Sequence, residues 1–356
     1  MGEHTDYNEG FVLPFALAQG VTATAAARSD GQLVLRSAQA PGETAIPLDL
    51  LAPGSVSGWA AYPAGVAWAL QEAGHRVLGA SVGIDSDLPV GAGVSSSAAL
   101  ECSVALALCS LSGLTVPRRE LAATAQRAEN DFVGAPTGII DQSAALLCTD
   151  GHALLLDCGT LQTTQVPFRP AAAGVCALVI DTRVTHALVS GEYAARRAEC
   201  EQAAGLLGVP ALGAVTDLRK LDQIDDPVLR RRARHVVTDS ARARAIAAAL
   251  LEAGPASLAE VYEFIGESLV EGHASLRDDF EVSWPAADTA VDAAVTAGAY
   301  GAKMIGGGFG GSVLALVPAP LAAALRAAVT AAFTARGWAA PAFLDAVPSP
   351  AARRLA

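Results

Sequence analysis

The sequence predicts a two-domain protein in which strands and helices are mixed. Its 356 residues are too many for one simple hydrophobic core, so two domains are expected. Strand patterns in the first half cover 11–28, 32–36 and 79–85. Helical periodicity dominates the second half, with long segments at about 188–206 and 226–253.

The other elements of the first half each follow from a local pattern. Apolar residues on one face predict a helix that follows Trp59 and closes at Gly74. The segment after Ser97 carries one charge and predicts a helix buried on most sides. A further helix is expected at about 118–131, and another begins at Gln142.

The second half alternates in the same way. We predict strands near 152–157, 175–181, 312–317 and 342–346, and helices near 257–275, 286–298 and 319–336. Ahead of the strand at 312–317, Gly306–Gly311 has glycine at five of six positions. This cluster indicates close approach of the backbone to a ligand or to another loop.

Charge and cysteine content limit the possible functions. A net charge of −12 argues against nucleic acid or an anionic membrane as a partner, since both favour a basic face. The six cysteines form no C-x-x-C pair, so we expect buried free thiols rather than disulfides or a metal site. The given residues show no signal-peptide pattern and no apolar run of membrane-spanning length, so we expect a cytoplasmic protein.

A glycine- and serine-rich run, Pro89–Leu100, joins the strand at 79–85 to the helix after Ser97. Glycine lets the backbone approach an anion closely, and the N–H groups at a helix N-terminus attract negative charge. We expect the serines to cap the helix and the run to form a phosphate cradle. The alternative is a plain N-cap preceded by a glycine turn.

Three polar features carry candidate chemistry. Met1–Gly10 crowds Glu, His and Asp together, which indicates either a binding loop or a solvated tail. Glu129 ends a predicted helix, where a carboxylate opposes the helix dipole, so either a cation lies nearby or the helix end is solvated. Asp141 is bracketed by apolar residues; we expect it to be partly buried with a partner or a task, or to be the N-cap of the next helix.

Three motifs carry a family resemblance: Gly2–Asn8 (GEHTDYN), Leu88–Ala99 (LPVGAGVSSSAA) and Ile305–Gly311 (IGGGFGG). Shorter matches lie at Gly138–Gln142, Glu192–Arg197 and Ser275–Glu281. In this order they resemble the galactokinases, which are GHMP small-molecule kinases. The resemblance covers essentially the whole chain, and the first motif separates galactokinases from most other GHMP kinases.

The resemblance implies an α+β protein with the two-domain GHMP kinase fold. The N-terminal half, residues 1–175, would be similar to domain 2 of ribosomal protein S5. The C-terminal half, residues 176–356, would be a ferredoxin-like sheet with helices. We place the boundary between them near 150–185, and the resemblance implies a site in the cleft between the two domains.

The resemblance also implies a role for each residue that matches a family motif. Sugar hydroxyls would be bound by Glu3, His4, Asp6, Gly138, Asp141 and Tyr193. The ATP phosphates would be wrapped by Gly91, Ala92, Gly93, Val94, Ser95, Ser96 and Ser97. Ser97 and Glu129 would bind Mg²⁺, and Trp59 would border the adenine.

Together these roles imply an ATP- and Mg²⁺-dependent sugar kinase. Asp141 would take the proton from the C1 hydroxyl of α-D-galactose as that oxygen attacks the γ-phosphate, giving galactose 1-phosphate and ADP. Oxygen ligands suit Mg²⁺, and phosphoryl transfer needs mainly alignment and charge stabilisation. We expect a monomer whose partners are galactose and ATP.

Two alternatives lie close to this interpretation. One is a kinase for a related sugar, such as N-acetylgalactosamine or arabinose. The other is a galactose- and ATP-binding regulator without kinase activity. The complete run Ser95–Ala99 argues against a regulator, because regulators that resemble galactokinase lose residues in this serine loop.

The family pattern extends upstream of Gly2, where a strand of the form Pro-Gly-Arg-Val-Asn-Leu carries a functional arginine. The sequence as given has no residues for that strand. We expect a gene start placed at an internal Met, since every other motif is intact. The alternative is a shortened chain with weak or no kinase activity.

Overall fold

The computed structural model describes residues 1–88, 93–185 and 189–355. Its internal contacts divide this part of the chain into two compact units. The large unit contains Met1–Phe15 and Thr149–Ser349, together with Gly93 and Val94. The small unit contains Ala16–Leu88 and Ser95–Cys148, together with the residues from Pro350 onward.

The predicted boundary between residues 175 and 176 concerns the domains of the family and stays a prediction. The contacts divide the chain elsewhere, because the first fifteen residues cluster with the segment that begins at Thr149.

The strands are numbered in chain order. They are β1 Phe11–Val12, β2 Val21–Ala27, β3 Gln32–Ser37, β4 Ala40–Pro47, β5 Ala80–Ser86, β6 His152–Asp157, β7 Gln162–Pro167, β8 Val175–Asp181, β9 Gly301–Met304, β10 Ser312–Pro318 and β11 Ala342–Asp345.

The α-helices are numbered in the same way. They are α1 Ala61–Glu72, α2 Ser96–Leu111, α3 Arg118–Arg127, α4 Ile140–Leu147, α5 Val189–Leu206, α6 Pro227–Glu252, α7 Leu258–Asp278, α8 Pro285–Thr296 and α9 Ala322–Ala335.

The small unit combines a four-stranded sheet, in the order β2-β5-β3-β4, with helices α1 to α4. Strands β3 and β5 are parallel, and the other pairs are antiparallel. Helix α2 buries Ala98, Cys102, Ala105 and Leu108, whose spacing places them along one face. Because these side chains are apolar and most of them are small, α2 packs against α1, α3 and α4 as well as the sheet.

The large unit contains two sheets. One is four-stranded, in the order β11-β8-β10-β9, and the other is three-stranded, in the order β1-β6-β7; every pair in them is antiparallel. Helix α6 begins with Pro227, and the Asp226 side chain caps it by accepting a hydrogen bond from the Val228 N–H at 2.7 Å.

Helix α7 lies directly against β9 because both have glycine at the contact. A Cβ added to Gly301 would lie 1.9 Å from the carbonyl oxygen of Gly266, so a larger residue does not fit. This contact fixes β9, which carries the buried Lys303, against α7.

Most predicted elements are present at the expected places. Three strands were missed, and each contains residues that disfavour a strand prediction. Strand β4 contains glycine and two prolines, β7 is mainly polar, and the four residues of β9 include Gly301 and Lys303. The predicted helix at 118–131 is α3 followed by a π-helical turn, Ala128–Val133.

Two further expectations concern the cysteine thiols and membrane-spanning helices. Cys102, Cys109, Cys148 and Cys200 are buried free thiols, whereas the thiols of Cys158 and Cys176 are half-buried. Within the described residues, no helix combines the length and the apolar character needed to cross a membrane.

Candidate active site

The first candidate group lies on the signature loop, which we define as residues 2–10. Inside the loop, the Asn8 amide donates to the His4 carbonyl at 2.8 Å, and the Thr5 hydroxyl donates to the Gly2 carbonyl at 2.8 Å. The Gly2 N–H donates to Asp239 on α6 at 2.8 Å. These bonds make the segment a structured loop, so the interpretation as a solvated tail is wrong.

His4 is the least exposed of the side chains predicted to bind the sugar. Its Nε2 lies 3.1 Å from the Gly307 carbonyl and its Nδ1 lies 2.9 Å from the Tyr7 hydroxyl. Because a carbonyl only accepts, Nε2 carries the proton and Nδ1 accepts from Tyr7. Burial, reinforced by the nearby His235, lowers the pKa of His4 to about 3. The imidazole is therefore neutral at physiological pH.

This assignment predicts an NMR result. We expect the His4 ring to stay in the neutral Nε2–H form from pH 8 down to pH 5, because protonating Nδ1 would abolish the hydrogen bond from Tyr7. Ring ¹⁵N shifts would measure this, with the signal assigned by its loss in His4→Gln. A midpoint near the ordinary value of about 6.5 would contradict the assignment.

Glu3 is also buried, and its carboxylate forms an ion pair with the ammonium group of Lys303. The backbone carbonyl of Glu3 accepts from the His235 ring at 3.0 Å. Burial by itself would raise the pKa of Glu3, but the positive charge and hydrogen bond of Lys303 outweigh it and lower that pKa. Glu3 is therefore an anion held inside the large unit.

Tyr193 and the glycine cluster complete this group. The Tyr193 ring, on α5, lies 5.0 Å from the His4 ring between centroids. A Cβ atom added to Gly307 would lie 3.3 Å from the Tyr193 ring, and the Gly307 carbonyl contacts the His4 ring. Asp6 is buried in the short 3₁₀ helix of the loop. The large unit thus brings together Glu3, His4, Asp6 and Tyr193, and the glycine cluster approaches another loop as expected.

The second candidate group lies in the phosphate-loop region. Gly91 and Ala92 lie outside the described residues. Gly93 and Ser95 both have left-handed backbone angles, with φ values of +65° and +59°. A left-handed φ is uncommon for serine and is typical of functional loops.

The expectation that serine caps α2 is wrong for the residue at the N-cap position. Ser95 makes no side-chain capping hydrogen bond, because capping requires an extended backbone and this residue is left-handed. The plain N-cap interpretation fails for the same reason. Ser96 and Ser97 form the first turn of α2, and Ser97 is half-buried.

Glu129 lies in the π-helical turn after α3 and is only 4% exposed, so the helix end is not solvated there. Its Oε2 accepts from the Gln142 amide at 2.8 Å and from the Thr137 hydroxyl at 2.9 Å. Turns of this type occur frequently at functional sites, because the extra residue redirects side chains.

Asp141 lies in the first turn of α4, which begins at Ile140 rather than at the predicted Gln142. The N-cap is Ile139, so the interpretation of Asp141 as a helix cap is wrong. Asp141 is half-buried, as expected, and Gly138 just before the helix is buried. The Asp141 charge is close enough to contribute to raising the pKa of Glu101.

Glu101, on α2, is a fully buried carboxyl group that sequence reasoning did not assign. Its Oε2 accepts from the Gln142 amide at 3.2 Å. Burial, followed by the charge of Glu129, raises the pKa of Glu101 to about 9. Glu101 therefore carries a proton at neutral pH.

The remaining predicted residue, Trp59, lies in a 3₁₀ turn before α1 and packs half-buried against the core of the small unit. Sequence reasoning missed Lys303, Gln142 and Glu101. Glu101 is the only charged residue of α2, and Lys303 is one of two lysines and lies in a buried strand. An isolated charge in an apolar element was the available signal.

Comparison with known families finds three matches along the chain. The galactokinase galactose-binding signature matches residues 1–27. The GHMP kinases N terminal domain matches residues 61–149, and the GHMP kinases C terminal family matches residues 246–335.

Similar proteins are found by sequence and by structure. Galactokinase of Streptomyces coelicolor is 51% identical, over 100% of this chain and 91% of its own length. Galactokinase of Mycobacterium tuberculosis is 46% identical, over 89% of this chain and 85% of its own. The crystal structure of Lactococcus lactis galactokinase complexed with galactose has a TM-score of 0.93 and 33% identity, covering 100% of this chain and 92% of that one.

A more distant structure agrees in fold alone. Methanococcus jannaschii mevalonate kinase has a TM-score of 0.64 at 14% identity, over 98% of this chain and 94% of its own. The predicted α+β GHMP kinase fold is confirmed by these structural matches together with the two GHMP domain matches. With the sequence relatives above, they establish that this chain belongs to the galactokinase family of the GHMP kinases.

Proposed function

We propose that this protein is a galactokinase, which transfers the γ-phosphoryl group of ATP to the C1 hydroxyl of α-D-galactose. The products are galactose 1-phosphate and ADP. The observation that carries the proposal is the galactose-binding signature at residues 1–27, in a chain 51% identical to a named galactokinase over its whole length. The structured signature loop supports it, because a loop held by internal bonds presents its side chains in fixed positions.

Sugar binding is assigned to Glu3, His4, Asp6, Gly138, Asp141 and Tyr193. An ionised carboxylate has about four acceptor positions, so Glu3 is able to accept a sugar hydroxyl while it is paired with Lys303. A site built from buried polar groups rejects analogues that lack the matching hydroxyl, which suits recognition of one sugar among many.

Phosphate binding is assigned to Gly91, Ala92, Gly93, Val94, Ser95, Ser96 and Ser97. The N-terminus of α2 has no side-chain cap at Ser95, so its N–H groups are suited to an anion. We assign Trp59 to the border of the adenine.

The residues present fit Mg²⁺. Glu129 offers a carboxylate with one oxygen already hydrogen-bonded, and Ser97 offers a hydroxyl in the first turn of α2. Mg²⁺ is commonly bound by one or two protein oxygens together with substrate phosphates and water. When bound, it neutralises charge on the phosphates.

Asp141 is the proposed base. It would accept the proton of the C1 hydroxyl as that oxygen forms a bond to the γ-phosphorus. The bond between the γ-phosphorus and the β-γ bridging oxygen breaks at the same time, and the bridging oxygen leaves with ADP. We further propose that the protein acts as a cytoplasmic monomer.

A sugar panel tests the proposed function. The full-length protein is incubated with ATP and Mg²⁺ and with galactose, N-acetylgalactosamine, arabinose or glucose in turn. We expect ADP release with galactose and a product whose ³¹P signal couples to the C1 proton. Preference for N-acetylgalactosamine or arabinose would reassign the substrate, and binding of both ligands without transfer would favour a regulator.

A further inference from the structure

The Glu129 carboxylate is held through one of its two oxygens by neighbouring side chains. Two donors reach a single carboxylate oxygen, Oε2: the Gln142 amide at 2.8 Å and the Thr137 hydroxyl at 2.9 Å. The hydrogen bonds of the described residues include none to the other oxygen, Oε1. The two oxygens of this carboxylate are thus in different environments.

The Gln142 side chain is itself fixed. It is fully buried, and its two amide N–H groups point at two carboxyl groups, those of Glu129 and Glu101. An amide that donates to two acceptors on different helices cannot rotate without losing both bonds. Its orientation toward Glu129 is therefore determined by Glu101.

The burial of Glu101 is not explained by a full set of hydrogen bonds. It is completely inaccessible to solvent, and its Oε1 has no hydrogen-bond partner within the described chain. A carboxyl group in an apolar helix costs stability, so its retention is explained best by the contact it makes. Among the hydrogen bonds of the described residues, that contact is with Gln142.

We propose that Gln142, supported by Glu101, and Thr137 are positioning residues that hold Oε2 of Glu129 and leave Oε1 available to bind Mg²⁺. Carboxylates that bind a metal are commonly hydrogen-bonded by outer groups that orient them. The inference rests on the proposed kinase function and adds three residues to it. None of them touches the substrate in this assignment.

The test compares metal-dependent and metal-free nucleotide binding in Gln142→Met, which keeps the volume and removes both donors. Loss of such orienting contacts typically weakens metal binding by about 10- to 100-fold. We therefore expect calorimetry to show at least a tenfold weaker affinity for ADP in saturating Mg²⁺. Affinity for ADP in EDTA, and affinity for galactose, should stay within about twofold of the wild type.

Thr137→Val provides a second, nearly isosteric variant, and we expect the same selective loss. The matched control is Gln126→Met, because the Gln126 amide donates to the Thr137 carbonyl at 3.3 Å and, among the described residues, to no carboxylate. This control should bind Mg²⁺ and ADP normally. Thermal unfolding of all three variants identifies any general loss of structure.

The outcomes separate cleanly. Unchanged Mg²⁺-dependent binding in folded Gln142→Met and Thr137→Val would overturn the positioning role while leaving the kinase assignment intact. An equal loss of metal-free ADP binding would also overturn it, because that result indicates general distortion. Absence of Mg²⁺-dependent ADP binding in the wild type would overturn the proposed function and this inference with it.

Discussion

Replacing Asp141 by alanine is expected to lower kcat for galactose phosphorylation by about a thousandfold or more, with galactose still bound. A positioned general base typically contributes about 10²- to 10⁴-fold. Asp141 is half-buried on the first turn of α4. Coupled detection of ADP would measure kcat, and calorimetry would measure galactose binding.

Two further variants make this test specific. Asp141→Asn keeps the size and removes the basicity, so we expect a comparable loss of kcat. Asp131→Ala removes an exposed carboxylate that pairs with Arg127, and it should leave kcat within about twofold of the wild type. More than a tenth of wild-type kcat in Asp141→Asn would exclude Asp141 as the base.

The fold was predictable from the sequence wherever a local pattern of residues indicates the element. Helix α2 is mainly apolar and carries a single charge, and α6 has both an N-cap and a first-turn proline. Strand β9 could not be found in this way. Its four residues are stabilised as a strand by pairing with β10 and by the close approach of Gly301 to Gly266, and no local pattern indicates either contact.

The family resemblance supplied the candidate site residues, whose roles stay predictions, and no local pattern indicated their partners. Glu3, His4 and Asp6 were proposed because seven consecutive residues, Gly2–Asn8, match the family motif. The ion pair between Glu3 and Lys303 spans 300 positions of the chain, so no spacing rule reveals it. Local reasoning also failed at Ser95, where a capping serine was expected and the left-handed backbone prevents capping.

Replacing Lys303 by methionine should lower the free energy of unfolding at neutral pH by about 3–5 kcal/mol. Removing one partner of a buried ion pair leaves the other charge without compensation, and the cost is of this size. Lys303 is 1% exposed, and its partner Glu3 is 9% exposed. Urea unfolding at pH 7 would measure the difference.

The two lysines of the chain allow a matched control. Lys220→Met removes the other lysine, which is exposed, and should change the free energy of unfolding by no more than about 0.5 kcal/mol. The double variant Glu3→Gln/Lys303→Met removes both charges, so we expect it to recover much of the loss. If Lys303→Met is as stable as Lys220→Met, the buried pair does not contribute as described.

The ion pair also predicts how the stability difference between the wild type and Lys303→Met changes with pH. In the wild type the pKa of Glu3 is lowered, so the unfolded state binds more protons below its own pKa of about 4.3. The contribution of the pair is thus fully present above that pH and is lost as the pH falls toward the native pKa. Without Lys303, the largest interaction that lowers the pKa of Glu3 is gone and burial favours the protonated carboxyl, so acid removes less stability from the variant than from the wild type. The difference in unfolding free energy between wild type and Lys303→Met should therefore be largest at neutral pH and shrink under acid conditions. A difference that grows as the pH falls below 5 would contradict the ion pair.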